Sequence, residues 1–183
     1  MNFSGRRCTL WLVTLALGMV SATGCGYTLV GRASNIPDDI HNIYVSPFEN
    51  RTPRSQVEQV LTRAVTDELV TRPRFSVVSA QSEADAELRG VVVGFVTNPV
   101  GFAADGRATE YEITLTAQVV FQRVDTSKPE GGDVIWRNDR YTFRQSYDVS
   151  LDAADYFNRE DEAIEDLSKR FSETMVTDLL EGF

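Results

Sequence analysis

A strict two-residue alternation runs from Glu110 to Gln122. Tyr111, Ile113, Leu115, Ala117, Val119 and Phe121 take one phase, and Glu110, Glu112, Thr114, Thr116, Gln118 and Gln122 take the other. Successive side chains of a strand point to opposite faces, so this spacing predicts one long strand with a dry face and a wet face. A sheet that is dry on one side needs a second layer to cover it. The neighbours of this strand follow from the same logic. Asp125 to Asp133, with Pro129 and Gly131-Gly132, reads as a hairpin loop, and Val134 to Tyr147 as the return strand, bent near Asn138-Asp139. Ala86 to Thr97 reads as the preceding strand, with Gly90 and Gly94 as bulge points. Between it and the alternating strand, Asn98 to Ala108 reads as a loop. That loop carries Val100 and Phe102, which a purely solvated loop would not need.

Two segments supply the covering layer. Val57, Val60, Leu61, Ala64, Val65 and Leu69 recur at helical spacing, and Pro73 stops the run. Ser55 and Glu58 have the form of a capping box at its start. From about Glu160, Ile164, Leu167, Phe171, Met175 and Leu179 form a second apolar stripe, and Ser150 to Arg159 reads as an irregular approach to it. Asn42 to Phe48 is apolar on both faces, as a covered strand would be, and Pro47 marks its end. Glu49 to Pro53 reads as a turn, and Phe75 to Ser79 as a short strand. A strand, a helix and a strand joined closely predict a crossover with parallel strands. The fold class expected is α+β: a two-layer sandwich with a mixed, mostly antiparallel four-stranded sheet and two helices packed on one face.

Residues 1–24 read as an export leader. Arg6 and Arg7 form its positive start, Cys8 to Val20 its apolar run, and Ser21 to Gly24 its small-residue end. The apolar run falls short of the ~20 residues that span a bilayer. A small-small-Gly-Cys ending makes Cys25 the expected site of lipidation and the first residue of the mature chain, though Ala22 stands where a large aliphatic residue is usual. An ordinary secretory signal with an incidental cysteine is the competing reading. Gly26 follows, not the aspartate that retains many lipoproteins in the inner membrane, so the outer membrane is the expected destination. The organisation expected is a signal peptide over 1–24 and one domain over 25–183, with Cys25 to Gly31 an edge strand or an extended tether.

Charge narrows the partners. Losing Arg6 and Arg7 lowers Lys plus Arg from 18 to 16 against 27 Asp plus Glu, so the net charge falls from −9 to −11. Nucleic acid, whose phosphates demand cations, is not an expected partner. The mature chain keeps one cysteine, which is the lipidated one, so no internal disulfide is expected. The lone histidine, His41, lies in a loop beside Asp38 and Asp39, and one histidine without cysteine makes no zinc site. Glu160, Asp161 and Glu162 are read as a solvated helix start that complements the helix dipole, not a cation site. No nucleophile elbow or phosphate loop occurs. Neither catalysis, nor a metal, nor a cofactor is expected.

Several short motifs together resemble the LptE family of outer-membrane lipopolysaccharide-assembly lipoproteins. They are Cys25-Gly26-Tyr27-x-Leu29-x-Gly31, Val45-x-Pro47-Phe48-x-Asn50, Ala84-Asp85-Ala86-x-Leu88-x-Gly90, Thr109-Glu110-Tyr111 and the closing Leu179-Leu180. The resemblance spans most of the mature chain in the same order of elements. It implies a non-enzymatic plug that sits in the barrel of LptD, helps that barrel fold and binds lipopolysaccharide. It also implies basic contacts to lipopolysaccharide before the Thr-Glu-Tyr strand and near the last helix. Here these positions offer Arg107 and Arg159, with Ala104 standing where a relative carries a base earlier in the loop. Val100 and Phe102 are the residues expected to meet the barrel wall or acyl chains, or else to fold back on their own sheet. The alternative from the same opening elements is a periplasmic adaptor lipoprotein resembling CsgG or the TolB amino-terminal domain, which recruits another envelope machine. A lipid-anchored hydrolase is a third reading, and it would depend on His41 or one acid.

Overall fold

The computed structural model describes residues 36–125, 127–128, 131–149 and 153–181, with backbone alone for 153–157. The leader, Cys25, the Cys25–Gly31 segment and the side chains of Tyr156 and Phe157 lie outside the described residues. The elements in chain order are β1 (Asn42–Val45), β2 (Glu49–Asn50), α1 (Val57–Val70), β3 (Ser76–Val78), β4 (Ala86–Phe102), β5 (Ala108–Arg123), β6 (Val134–Asp148) and α2 (Ala153–Glu181).

The expected α+β class holds, but the sheet has six strands and is mixed, not four-stranded and mostly antiparallel. Its order is β3-β1-β4-β5-β6, with β2 also on β4. β1 lies parallel to both β3 and β4, and β2 is parallel to β4. β4, β5 and β6 form the antiparallel meander. One of the two added strands arises at Pro47. This proline interrupts one extended segment, and Glu49-Asn50 resumes pairing at Val91-Val92, so the expected turn is a second short strand.

The core lies between the sheet and the two helices. Ile113, Leu115, Ala117, Val119 and Phe121 are fully buried, as the alternation requires. Against them pack Val57, Leu61, Val65 and Leu69 of α1, and Ile164, Leu167, Phe171, Met175 and Leu179 of α2. Each such side chain, fully buried, contributes about 1.5–3 kcal/mol. Phe171 is the hub of an aromatic group. It meets Phe48, Tyr141 and Phe143 edge-on at centroid distances of 6.2, 5.8 and 5.4 Å.

The motif residues have visible structural work. Phe48 lies so close over Gly90 that a Cβ there would stand 2.3 Å from the ring, so Gly90 is a close-approach glycine, not a bulge. The bulge falls between Val92 and Gly94. Asn50 organises the bend before α1. Its Nδ2 donates to the Arg54 carbonyl at 2.7 Å and to Glu58 Oε2 at 2.8 Å, and its Oδ1 accepts from the Thr52 N–H at 2.9 Å. Glu58 is thereby turned away from the helix start. The expected capping box does not form: α1 begins after Gln56, which sits at φ 71 with no side-chain cap. Asp85 Oδ2 accepts the backbone N–H of His41 at 3.0 Å and of Asn42 at 2.7 Å, which fastens the start of β1 to the start of β4. Those two donors, Asn42 first, hold the Asp85 carboxyl below the usual range.

Three boundaries differ from expectation. β4 runs on to Phe102, and only 103–107 is a turn, because β5 pairs with β4 as far as Phe102 and Ala108. Pro99 and Gly101 are tolerated there, with register shifts on either side of Gly101. α2 begins at Ala153, well before the apolar stripe. The bend in β6 lies where expected: Asp139 and Arg140 stand opposite Gln118 alone, between the pairs Val119–Asn138 and Ala117–Tyr141.

Candidate functional site

The β4–β5 hairpin reaches past the end of β6. Tyr111 pairs with Tyr147 and Glu110 with Asp148, and the Val149 N–H still donates to the Thr109 carbonyl at 2.9 Å. Beyond that point, among the described residues, only β4 and β5 continue to the turn. The Ala103 N–H donates to the Arg107 carbonyl at 2.8 Å, and the Gly106 N–H donates to the Ala103 carbonyl at 2.9 Å. Gly106 supplies the left-handed residue, φ 83, that closes so tight a turn.

All four predicted side chains that are described fall at this end. Val100 and Phe102 are 49% and 62% exposed, so they do not fold back on their own sheet. Arg107 follows in the turn, two residues before Thr109. Its Nε lies 2.7 Å from Asp105 Oδ2, and its backbone N–H donates to Asp105 Oδ1 at 3.2 Å. These donors, the guanidinium first, hold the Asp105 carboxyl below its usual range. Arg159 stands on α2, 3.3 Å from Glu162. It borders a groove of about 420 Å³ between α2 and the end of β6. Tyr147, Val149 and Ala163 give this groove apolar lining, and Asp148, Glu162 and Asp166 line it together with Arg159. Tyr147 stacks on Tyr111 at 5.9 Å, so the groove abuts the strand that leads into the Arg107 turn. The structure therefore brings the groove and the arm to one end. It also sets an acid beside each arginine, which lowers the local positive charge.

A second cleft of about 350 Å³ lies at the opposite end of β4 and β5, where Arg89 and Lys128 contribute to its lining. Arg89 pairs with Glu87 at 2.9 Å and Lys128 with Asp125 at 3.5 Å. Glu87 is buried, which pushes its carboxyl up. Hydrogen bonds from Arg89, Ser46 and Gln81 outweigh that and leave it below the usual range. The carboxylate is matched from within, and the cleft offers little uncompensated charge.

Sequence reasoning missed a junction that braces the arm. Arg54 reaches Glu160 at 3.3 Å and Asp161 at 2.8 Å, and the Thr97 hydroxyl donates to Glu160 at 3.4 Å. The loop before α1, the α2 helix and β4 meet there. A signal existed in the Asn98–Ala108 segment, whose apolar residues exceed what a loop needs. No described group of acids, histidines or cysteines could hold a metal. No described helix is long and apolar enough to cross a membrane.

The model of the LptE family, described as lipopolysaccharide-assembly, matches residues 40–179. No curated protein sequence matches the chain. Among solved structures, a Caulobacter crescentus protein classed as a lipoprotein is similar at a TM-score of 0.50. It shares 14% identity over 73% of this chain and 87% of that one. CT253 from Chlamydia trachomatis, described as hypothetical, is similar at 0.50, with 9% identity over 79% and 97%. Rare lipoprotein B from Shewanella oneidensis shows 16% identity over 76% and 92%, at 0.44. At such identities, the first two report a shared fold alone.

Proposed function

The chain belongs to the LptE lipopolysaccharide-assembly family, and from that premise we propose that it is a non-enzymatic outer-membrane lipoprotein that plugs an LptD-type β-barrel. In this reading it helps the barrel assemble and binds lipopolysaccharide on its way to the outer leaflet. The family match over residues 40–179 carries the proposal. The geometry agrees with it. The face of the sheet away from the helices presents Thr114, Thr116 and Gln118 of β5 beside Thr142 and Arg144 of β6. Such a hydrogen-bonding surface suits the polar lumen of a wide barrel. Lipid on Cys25 holds the domain at the periplasmic leaflet, since two or more acyl chains anchor stably.

Lipopolysaccharide is anionic, so its phosphates call for guanidinium donors. Arg107 on the arm and Arg159 at the groove are the proposed contacts, and Val100 and Phe102 meet acyl chains or the barrel wall. Each arginine must exchange its present carboxylate partner for phosphate. Both pairs are exposed and screened by solvent, so the exchange is cheap. Two measurements test the reading. The tagged protein, purified from membranes in mild detergent, brings an LptD-type barrel with it; recovery only as a free monomer overturns the plug. Replacing Arg107→Glu and Arg159→Glu together weakens binding to immobilised lipopolysaccharide at least tenfold with the melting temperature unchanged. Equal binding removes both from the site.

A further inference from the structure

Among the described residues, ten residues of β4 have a strand on one side only. β1 and β2 pair with β4 through Val92, and the Arg51 N–H reaches the Val92 carbonyl at 2.9 Å. The chain then leaves towards α1, while β4 continues to Phe102, held extended by β5. Between Gly94 and Pro99 the β4–β5 ladder is regular, and register shifts bound it on both sides. Among the described residues, no strand pairs with the other edge of that stretch. A strand held on one side leaves its outward N–H and C=O groups open to pairing.

The other margins of the sheet are guarded and this one is not. β3 is three residues long. β6 carries Arg137, Asp139, Arg140, Arg144 and Asp148. Its bulge turns the Arg140 N–H onto Asn138 Oδ1 at 2.9 Å. Charge, bulges and shortness are the usual protection of an edge. Val93 to Phe102 contains no charged residue, and Val93, Val96, Val100 and Phe102 are 36%, 51%, 49% and 62% exposed.

A row of amides and carbonyls at strand spacing is matched by another polypeptide, not by an acyl chain. A second copy is disfavoured. Thr97, in the middle of the stretch, bonds to Glu160, and the exposed Asp161 and Glu162 follow on α2. Two such edges in register would bring these acids together. Arg54 and Arg159 already pair with these three acids and leave one acid in excess, which favours a partner with cations beside its strand.

We propose that the Gly94–Asn98 edge of β4 receives an extended, uncharged segment of a different protein, about five residues long, flanked by Lys or Arg. The proposal takes the barrel as that protein and rests on the plug reading for its identity alone. The test places a photo-reactive benzoylphenylalanine at Val96, with Arg140 on β6 as the control, in the full chain in its own cells. The expected result is one protein adduct from position 96 that maps to an uncharged segment, while any adduct from position 140 maps to a different segment. In the same complex, amides of Gly94–Asn98 exchange hydrogen at least tenfold more slowly than in the purified protein. An adduct with a protein other than a barrel supports the edge and overturns the plug. Adducts confined to a second copy or to lipid, or no adduct while the barrel still co-purifies, overturn the edge and leave the plug standing.

Discussion

Two contacts set the sharpest demands on single residues. A Cβ at Gly90 would meet the Phe48 ring at 2.3 Å, and Phe48 is itself pinned by Phe171. Gly90→Ala therefore destabilises the domain by about 1–3 kcal/mol through overpacking, read as a lower midpoint in urea. Tyr141 donates to Asp178 Oδ2 at 2.5 Å. Burial, and then that bond and the carboxylate charge, raise its phenol above the ordinary value of 10.0. The folded state thus favours the neutral phenol. Its stabilisation is complete below pH 10.0 and shrinks above it, as the unfolded chain ionises first. Tyr141→Phe lowers stability by about 1–2 kcal/mol at neutral pH. It also flattens the loss that begins near pH 10.0 and grows as the pH rises towards the raised folded value. An unchanged alkaline slope would show that another group causes that loss.

At the level of elements, what could be read from the chain depended on whether a signal was periodic. The dry phase of β5 and both helical stripes are regular patterns, and they are buried as the pattern demands except at Tyr111, Val60 and Ala64, which are half-buried. The capping box was a four-residue coincidence that Asn50 overrode by claiming Glu58. The distal half of β4 was hidden because Pro99 and Gly101 look like loop residues. Pro99 is tolerated there because, among the described residues, one edge is unpaired and proline loses no ladder bond on it, and Gly101 sits between two register shifts. The position of Arg107 and Arg159 at one end could not be read from spacing, since the β5–β6 register creates it. The irregular start of α1 yields a prediction. Gln56 holds φ 71, which costs a non-glycine residue about 1 kcal/mol or more. Gln56→Gly stabilises by about 0.5 kcal/mol after the entropy of the freer unfolded chain is set against it. That is roughly a 1–2 °C rise in melting temperature for a domain of this size, and a fall would mean that Gln56 makes a contact worth more than its strain.

On the scale of the whole molecule, the proposed lipid anchor at Cys25 can be tested apart from the fold. Replacing Cys25→Ser releases the protein into the soluble periplasmic fraction while its circular dichroism stays unchanged. Continued tight membrane association of that variant would show that the barrel alone retains it. The architecture has a temporal consequence. The hub ring Phe171 and the last buried turn, Met175 to Leu179, come from the C-terminal part of the chain, while their partner Phe48 comes from near its beginning. Contacts of such long sequence separation are slow to form. A chain that emerges N-terminus first can lay α1 on β1 and β3, but the apolar face of β6 has no helix over it until α2 arrives. That face of the meander needs shelter until α2, Ala153–Glu181, closes over it.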